Sequence, residues 1–153
     1  MQQPTAETAN ESIIRRFVGS LNDLDRAKTF VDPEARFIAV RERSDETLPL
    51  YGVFVGHDGL EAFVGGLRAH FDTRMFKVDA VIEAGELGFA AGRFEHRIRA
   101  TDRLFRSHWS VMCAFRDGRI TLYRFFEDTA ALEEAMGART LCREDVSLAG
   151  EPS

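Results

Sequence analysis

Two cysteines among 153 residues leave little room for sulfur chemistry. Cys113 and Cys142 are far apart and form no Cys-x-x-Cys pair, so neither a disulfide framework nor a metal site follows. Reduced thiols of a cytosolic protein are the plain expectation, and no metal or other cofactor is implied. No run of 18 apolar residues occurs, and the first ten residues lack the basic-then-apolar order of a secretory signal. Neither membrane insertion nor export is expected, which leaves the cytoplasm. A basic excess is also missing: the formal charge is −5 and the pI near 5.4. Nucleic acid is disfavoured as a partner, because such binding draws on Lys and Arg neutralising phosphates. Tryptophan occurs once and tyrosine twice against thirteen phenylalanines. Phe fills volume without bringing a polar group that needs a partner, so such a core can line a cavity as readily as close one.

What is present fits one folded domain. A chain of this length buries roughly 70% of the surface its unfolded form exposes. The order of periodicities predicts a polar tail over residues 1–10, a domain over 11–137 and a second polar tail over 138–153. Ile13, Ile14, Phe17, Val18 and Leu21 recur at helical spacing, giving a first helix from about Thr8 to Asn22. Asp25 to Phe30 reads as a short second helix ended at Asp32-Pro33. Arg36 to Arg43 reads as a strand, Ser44 to Tyr51 as a loop and Gly52 to Gly56 as a short extended piece. Asp58 three residues before Glu61 suggests a capping box for a helix running to about Phe71. From Met75 the period becomes two. Four strands follow, near Phe76 to Glu83, Leu87 to Ala100, Arg103 to Arg116 and Arg119 to Glu127, and a last helix spans Thr129 to Met136. Helices first and hairpin strands last imply an α+β fold with an antiparallel sheet.

The Asp117-Gly118 pair suits a two-residue hairpin turn, so Arg116 should face Arg119. Counting outward pairs Phe115 with Ile120, Cys113 with Leu122, Val111 with Arg124, Trp109 with Phe126 and Ser107 with Asp128 on the face toward the helices. Met112, Ala114, Tyr123, Phe125, and His108 opposite Glu127, then share the outer face. The same reasoning at Thr101-Asp102 sets Phe94 opposite Trp109 and His96 opposite Ser107. His96, Ser107 and Asp128 would form one row. With strands about 4.8 Å apart, His96 and Asp128 could meet over the small Ser107. An inward Asp128 would have its pKa raised by desolvation, as a general base near neutrality requires, or it would cap the last helix. Arg124 would bind an anionic oxygen, and Phe94, Trp109, Phe126, Phe17 and Ser107 would line the ligand site. The outer face is apolar enough to expect a homodimer.

The stretches Gly56-His57-Asp58-Gly59-Leu60, Trp109, Arg116-Asp117-Gly118-Arg119-Ile120 and Arg124-Phe125-Phe126-Glu127-Asp128-Thr129-Ala130-Ala131-Leu132 resemble the nuclear transport factor 2-like superfamily, in particular its SnoaL-like and ketosteroid isomerase-related members. The resemblance covers about Glu11 to Met136. It implies a cone-shaped curved sheet on three to four helices around a pocket, often a homodimer through the outer sheet face. It also implies a pocket acid, matched by Asp128, for proton abstraction or water activation. The helix-borne tyrosine donor of ketosteroid isomerases has no counterpart here, since Phe17 and its neighbours are apolar. Two functions follow as expectations: a cofactor-independent isomerase, cyclase, lyase or hydrolase acting on a small apolar molecule with Asp128 as base and His96 as its partner, or a non-catalytic ligand-binding or dimerisation module.

Overall fold

A computed structural model describes residues 12–44 and 50–137. The expected tails, Cys142 and the middle of the 44–51 loop lie outside the described residues. The elements run in order α1 (Ile13–Val18), α2 (Leu24–Lys28), β1 (Val31–Ala39), β2 (Gly52–Val55), α3 (Gly56–His70), β3 (Phe71–Ala84), β4 (Leu87–Ile98), β5 (Leu104–Arg116), β6 (Arg119–Glu127) and α4 (Thr129–Ala135). The six strands form one sheet in the order β2-β1-β6-β5-β4-β3. Four neighbouring pairs are antiparallel, while β1 runs parallel to β6. The α+β class is as expected, and the sheet is mixed instead of purely antiparallel. A short-loop argument places sequential strands, but β1 reaches β6 only through everything folded between them.

The first helix ends at Val18 instead of Asn22 and β3 begins at Phe71 instead of Phe76, and three further boundaries differ from the sequence reading for local reasons. Strand β1 begins at Val31 and passes Pro33, which sits in an irregular stretch of the pairing with β6 between Val31 and Arg36, where a missing N–H does not break the ladder. It stops at Ala39 because Val40 takes a positive φ of 65°. Helix α3 starts at Gly56 behind Val55, which offers no side-chain cap, so Asp58 falls in its first turn and forms no capping box.

Buried residues of β4 and β5 alternate strictly with exposed ones, the period-two signature of a half-covered sheet. The covered face packs against the helices through rings. Phe17 of α1 lies 5.3 Å from Tyr123 and 6.1 Å from Phe37, while Phe63 of α3 lies 6.2 Å from Phe37. Leu132 of α4 belongs to the same core. Glu83 at the end of β3 fastens α1 by accepting from the N–H groups of Ile13 and Ile14, at 3.2 and 3.0 Å. Those two donors stand in the first turn, where an anion is favoured.

Candidate active site

The Asp117-Gly118 turn forms as expected, with φ of 54° and 74°. Arg116 faces Arg119, and Phe115 faces Ile120. Beyond that point the pairing shifts by one: Ala114 faces Leu122, leaving Thr121 as an extra residue in β6. This is a β-bulge, and the Thr121 hydroxyl closes it by donating to the Ala114 carbonyl at 3.2 Å. Because side chains alternate, a one-residue slip exchanges the faces of everything downstream. Tyr123, Phe125 and Glu127 therefore face the helices, while Arg124 and Phe126 face outward. Energetics favour the exchange: regular pairing would bury a guanidinium and expose the rings of Tyr123 and Phe125 in return for that of Phe126.

The slip relocates most of the expected site. Arg124 lies outside and pairs with Glu42 at 3.7 Å. Phe126 is an exposed outer-face ring. Asp128 is exposed at the end of the strand and caps α4, its side chain accepting from the Ala131 N–H at 3.0 Å. Tyr123 and Phe125, expected outside, pack inside against each other, and Phe125 lies 5.6 Å from the Trp109 indole. Glu127, expected outside opposite His108, is instead the inward cross-strand partner of Trp109.

The β4–β5 hairpin slips by two residues, which moves partners without changing faces. Phe94 faces Ser107, and His96 faces Phe105. His96 therefore does not meet Asp128 across Ser107. Its ring is sandwiched between Phe71 at 4.6 Å and Phe94 at 4.2 Å, and its Nδ1 is bonded to the Thr73 hydroxyl at 3.0 Å. Burial pushes its pKa down to about 4, so the ring is neutral near pH 7. Ser107 meets Asp128 only through the backbone: its Oγ accepts from the Asp128 N–H at 2.9 Å and donates to the His108 carbonyl. Phe17 and Phe94 are buried core rings.

What the folded chain assembles is a different set, centred on Glu127. Burial, reinforced by the neighbouring Asp128 charge, pushes the Glu127 carboxyl up to about 8. Among the described residues no hydrogen bond or ion pair holds it, and it is only partly buried. Opposite stands Trp109, whose ring crosses Gly92; a Cβ there would meet the indole at 2.7 Å and the Lys77 carbonyl at 1.9 Å. The indole is stacked between Phe125 and Phe76, the latter 4.9 Å away and 36% exposed. Its Nε1 is buried with no hydrogen-bond partner among the described residues, and the hydroxyl of Tyr51 is buried beside the Thr129 side chain. Tyr51 is close enough to Glu127 for the carboxylate to help raise its pKa after burial itself. An unsatisfied buried polar group costs about 1–3 kcal/mol, and the indole N–H is one such group on the strand paired with Glu127.

Both Glu127 and Tyr51 were missed by the sequence reading. The signal for Glu127 was the combination of an inward Arg124 with outward Tyr123 and Phe125, which a single bulge removes. Tyr51 follows a polar loop and carries no periodic signal. On the outer face, Ala80, Ile82, Phe89, Ala91, Met112 and Phe126 border an apolar groove of about 320 Å³. Among the described residues no group of three or more His, Cys, Asp or Glu is placed to hold a metal, and no helix is long and apolar enough to cross a membrane.

Comparison with solved structures supports the same architecture. A nuclear transport factor 2-like protein from Burkholderia xenovorans superposes with a TM-score of 0.71 at 21% identity, covering 81% of this chain and 92% of that one. A proposed isomerase from Rhodopseudomonas palustris gives 0.70 at 18% identity, covering 84% and 98%. TerC, co-crystallised with polyporic acid, gives 0.68 at 18% identity, covering 82% and 95%. At these identities the likeness establishes the fold alone. No match is found among curated proteins. The SnoaL-like domain model matches residues 14–123, most of the chain and every strand up to the middle of β6, and the protein belongs to the SnoaL-like domain family.

Proposed function

We propose that this chain binds a small, largely apolar molecule on the inner sheet face and moves a proton on it, as a cofactor-independent isomerase, cyclase or lyase would, with Glu127 as the acid–base group. The observation that carries this reading is a carboxyl on the apolar face with no hydrogen bond or ion pair among the described residues; burial pushes it up to about 8, where one group can accept and return a proton near neutral pH. Trp109, Phe76 and Phe125 supply the apolar walls. Asp128 serves the site through its position, starting α4 and placing a second negative charge beside Glu127. The TerC complex with polyporic acid and the proposed isomerase are relatives in fold whose descriptions agree with a small-molecule site.

Deuterium incorporation at C2 of 1-indanone in D2O tests the chemistry without knowledge of the natural substrate. The carboxylate takes a C2 proton, an enolate forms, and a deuteron returns. Exchange above the buffer rate should rise through a pH near 8 and fall by about 100-fold or more in Glu127→Gln. Asp128→Asn keeps a good helix cap and should retain exchange. Loss in Asp128→Asn with retention in Glu127→Gln would return the base to Asp128 and end this reading.

We also propose that the outer face joins two copies of the chain. Ile82 is 70% and Phe89 52% exposed beside the apolar groove, and exposed apolar patches of this kind mark association surfaces. Phe89→Asp should shift sedimentation from dimer to monomer; because association follows mass action, a wild-type chain that stays monomeric as its concentration is raised refutes it.

A further inference from the structure

The ladder between β5 and β6 ends at the pair Trp109 and Glu127, so the peptide that joins Glu127 to Asp128 leaves the sheet with backbone groups that need other partners. Side-chain hydroxyls supply them. Ser107, buried two residues before Trp109, accepts from the Asp128 N–H through its Oγ at 2.9 Å. Its one hydroxyl proton goes to the His108 carbonyl, which leaves the oxygen lone pairs to accept. On the other side of the same peptide, the Thr129 hydroxyl reaches the Glu127 carbonyl at 3.5 Å. One residue on, the Asp128 carboxylate accepts from the Ala131 N–H and the Asp128 carbonyl from the Leu132 N–H, at 3.0 and 3.2 Å. The peptide after Glu127 is thereby held at both its C=O and its N–H.

We infer that Ser107 is a positioning residue for Glu127: its hydroxyl anchors the Glu127–Asp128 peptide to β5 and so holds the Glu127 carboxyl on the apolar inner face. This rests on the reading of Glu127 as the acid–base group and names what keeps that group in place. With no hydrogen bond or ion pair of its own among the described residues, the carboxyl takes its direction from the backbone that carries it. Beyond Trp109 no ladder pair restrains that backbone, and the Ser107 bond is its tie to β5. The ionisable groups that act around Glu127 are Asp128, next along the chain, and Tyr51, which also feels Arg41 and Glu133 of α4. His108 of β5 is exposed on the opposite face. Removing the Ser107 hydroxyl alters none of these charges, so a change in the Glu127 titration reports where the carboxyl is held.

The carboxyl 13C resonance of Glu127, titrated in the full chain, reads that placement. Ser107→Ala should let the carboxyl turn toward water and lower its pKa from about 8 to about 7 or below. Ser107→Cys keeps nearly the same volume but offers only a weak acceptor, and it should do the same. Thr73→Ala is the control: it removes a hydroxyl bonded to His96 and should leave Glu127 titrating as in the wild type. A Glu127 pKa that stays near 8 in Ser107→Ala overturns the inference. So does a fall in Ser107→Ala that Ser107→Cys does not share, since volume and not the hydroxyl would be the cause. An equal fall in Thr73→Ala overturns it as well, because any loosening of the sheet would then suffice. Failure of both Ser107 variants to fold would make Ser107 a residue of the fold and has the same effect. Deuterium exchange on 1-indanone keeps the two proposals apart. A wild-type chain without exchange, but with a Glu127 that responds to Ser107, loses proton transfer and keeps the positioning role. Exchange whose pH midpoint is the same in wild type and Ser107→Ala loses the positioning role alone.

Discussion

His96 and Glu127 occupy the same inner sheet face, and burial drives both toward their neutral forms, to pKa values of about 4 and about 8. Their surroundings differ. His96 lies between two phenylalanine rings with its Nδ1 bonded to Thr73. Glu127 is partly exposed, has no hydrogen bond or ion pair among the described residues, and faces Trp109, whose indole N–H is buried without a partner there. Burial alone therefore does not separate a structural ionisable group from a chemical one. The distinction lies in what the neighbours leave unsatisfied and in whether a ligand can reach it.

The comparison depends on the bulge that turns Glu127 inward, and its removal is the most damaging test. Deleting Thr121 should drive the rest of β6 toward regular pairing, with Arg124 inward and Tyr123 and Phe125 outward. An unpaired buried charge costs about 3–5 kcal/mol, and exchanging the buried Tyr123 and Phe125 for Phe126 alone adds several more. No cooperative urea transition should remain. Thr121→Ala, which loses only the bond to the Ala114 carbonyl, should cost about 1 kcal/mol and keep the fold. A deletion variant with near-native stability would show that Thr121 does not set the facing of Glu127.

This bulge also marks where the sequence ceased to be legible. Helices α1 to α4, the four long strands and the Asp117-Gly118 turn all follow from spacing and turn chemistry. Faces were correct wherever alternation was clean, as along β4 and β5, and survived the two-residue slip of their hairpin because two residues preserve facing. Strand β6 offers no clean alternation, since Leu122, Tyr123, Phe125 and Phe126 are apolar on both parities. Its register rests on long-range contacts instead. Tyr123 pairs with Phe37 of β1 and packs on Phe17 of α1, partners 86 and 106 positions away by sequence number. Local pattern cannot anticipate such contacts. The site moved with the register, from Asp128 and Arg124 to Glu127.

The two ionisable groups should also oppose each other in the pH dependence of stability. His96 has a folded pKa of about 4 against the ordinary imidazole value of 6.5, so the unfolded chain binds more protons between those values. Stability should fall as pH drops from 6.5 to 4, by up to about 3 kcal/mol. His96→Phe, which keeps an aromatic ring in the stack, should flatten that acid limb. Glu127 runs the other way: its folded pKa is raised from 4.5 to about 8, so stability is lost as pH rises through that interval. Glu127→Gln should flatten the alkaline limb. Urea titrations at pH 4, 6 and 8.5 read both; an unchanged acid limb in His96→Phe would mean the imidazole is not held neutral by its stack.

A smaller effect separates the two causes of the Glu127 shift. Asp128→Asn removes a neighbouring charge but neither burial nor the cap. The Glu127 pKa, followed by its carboxyl 13C resonance, should fall from about 8 and stay above the ordinary carboxylate value of 4.5, because burial is the larger cause. A return all the way to 4.5 would assign the shift to Asp128 and weaken the distinction from His96, whose shift is caused by burial alone.

The smallest effect concerns backbone strain, which also gathers at the Glu127 end. Val40 follows β1 with φ of 65°, a conformation β-branched residues avoid. It is pinned by its N–H to the Phe125 carbonyl at 2.9 Å, and the next N–H returns to Ala39 at 2.7 Å. The chain thereby turns out of the sheet beside Phe125 and toward the segment carrying Tyr51. Such a residue stores about 1–3 kcal/mol. Val40→Gly removes that strain, loses some apolar packing and adds up to about 1 kcal/mol of unfolded-chain entropy, so the net gain should be under about 1 kcal/mol. If the turn helps hold Phe125 as a wall of the Glu127 site, the relaxed variant should bind 1-indanone more weakly although it is more stable. Equal affinity at higher stability would make Val40 a cost of the turn with no bearing on the site, and the contrast with the unstrained surroundings of His96 would rest on the unpaired indole N–H alone.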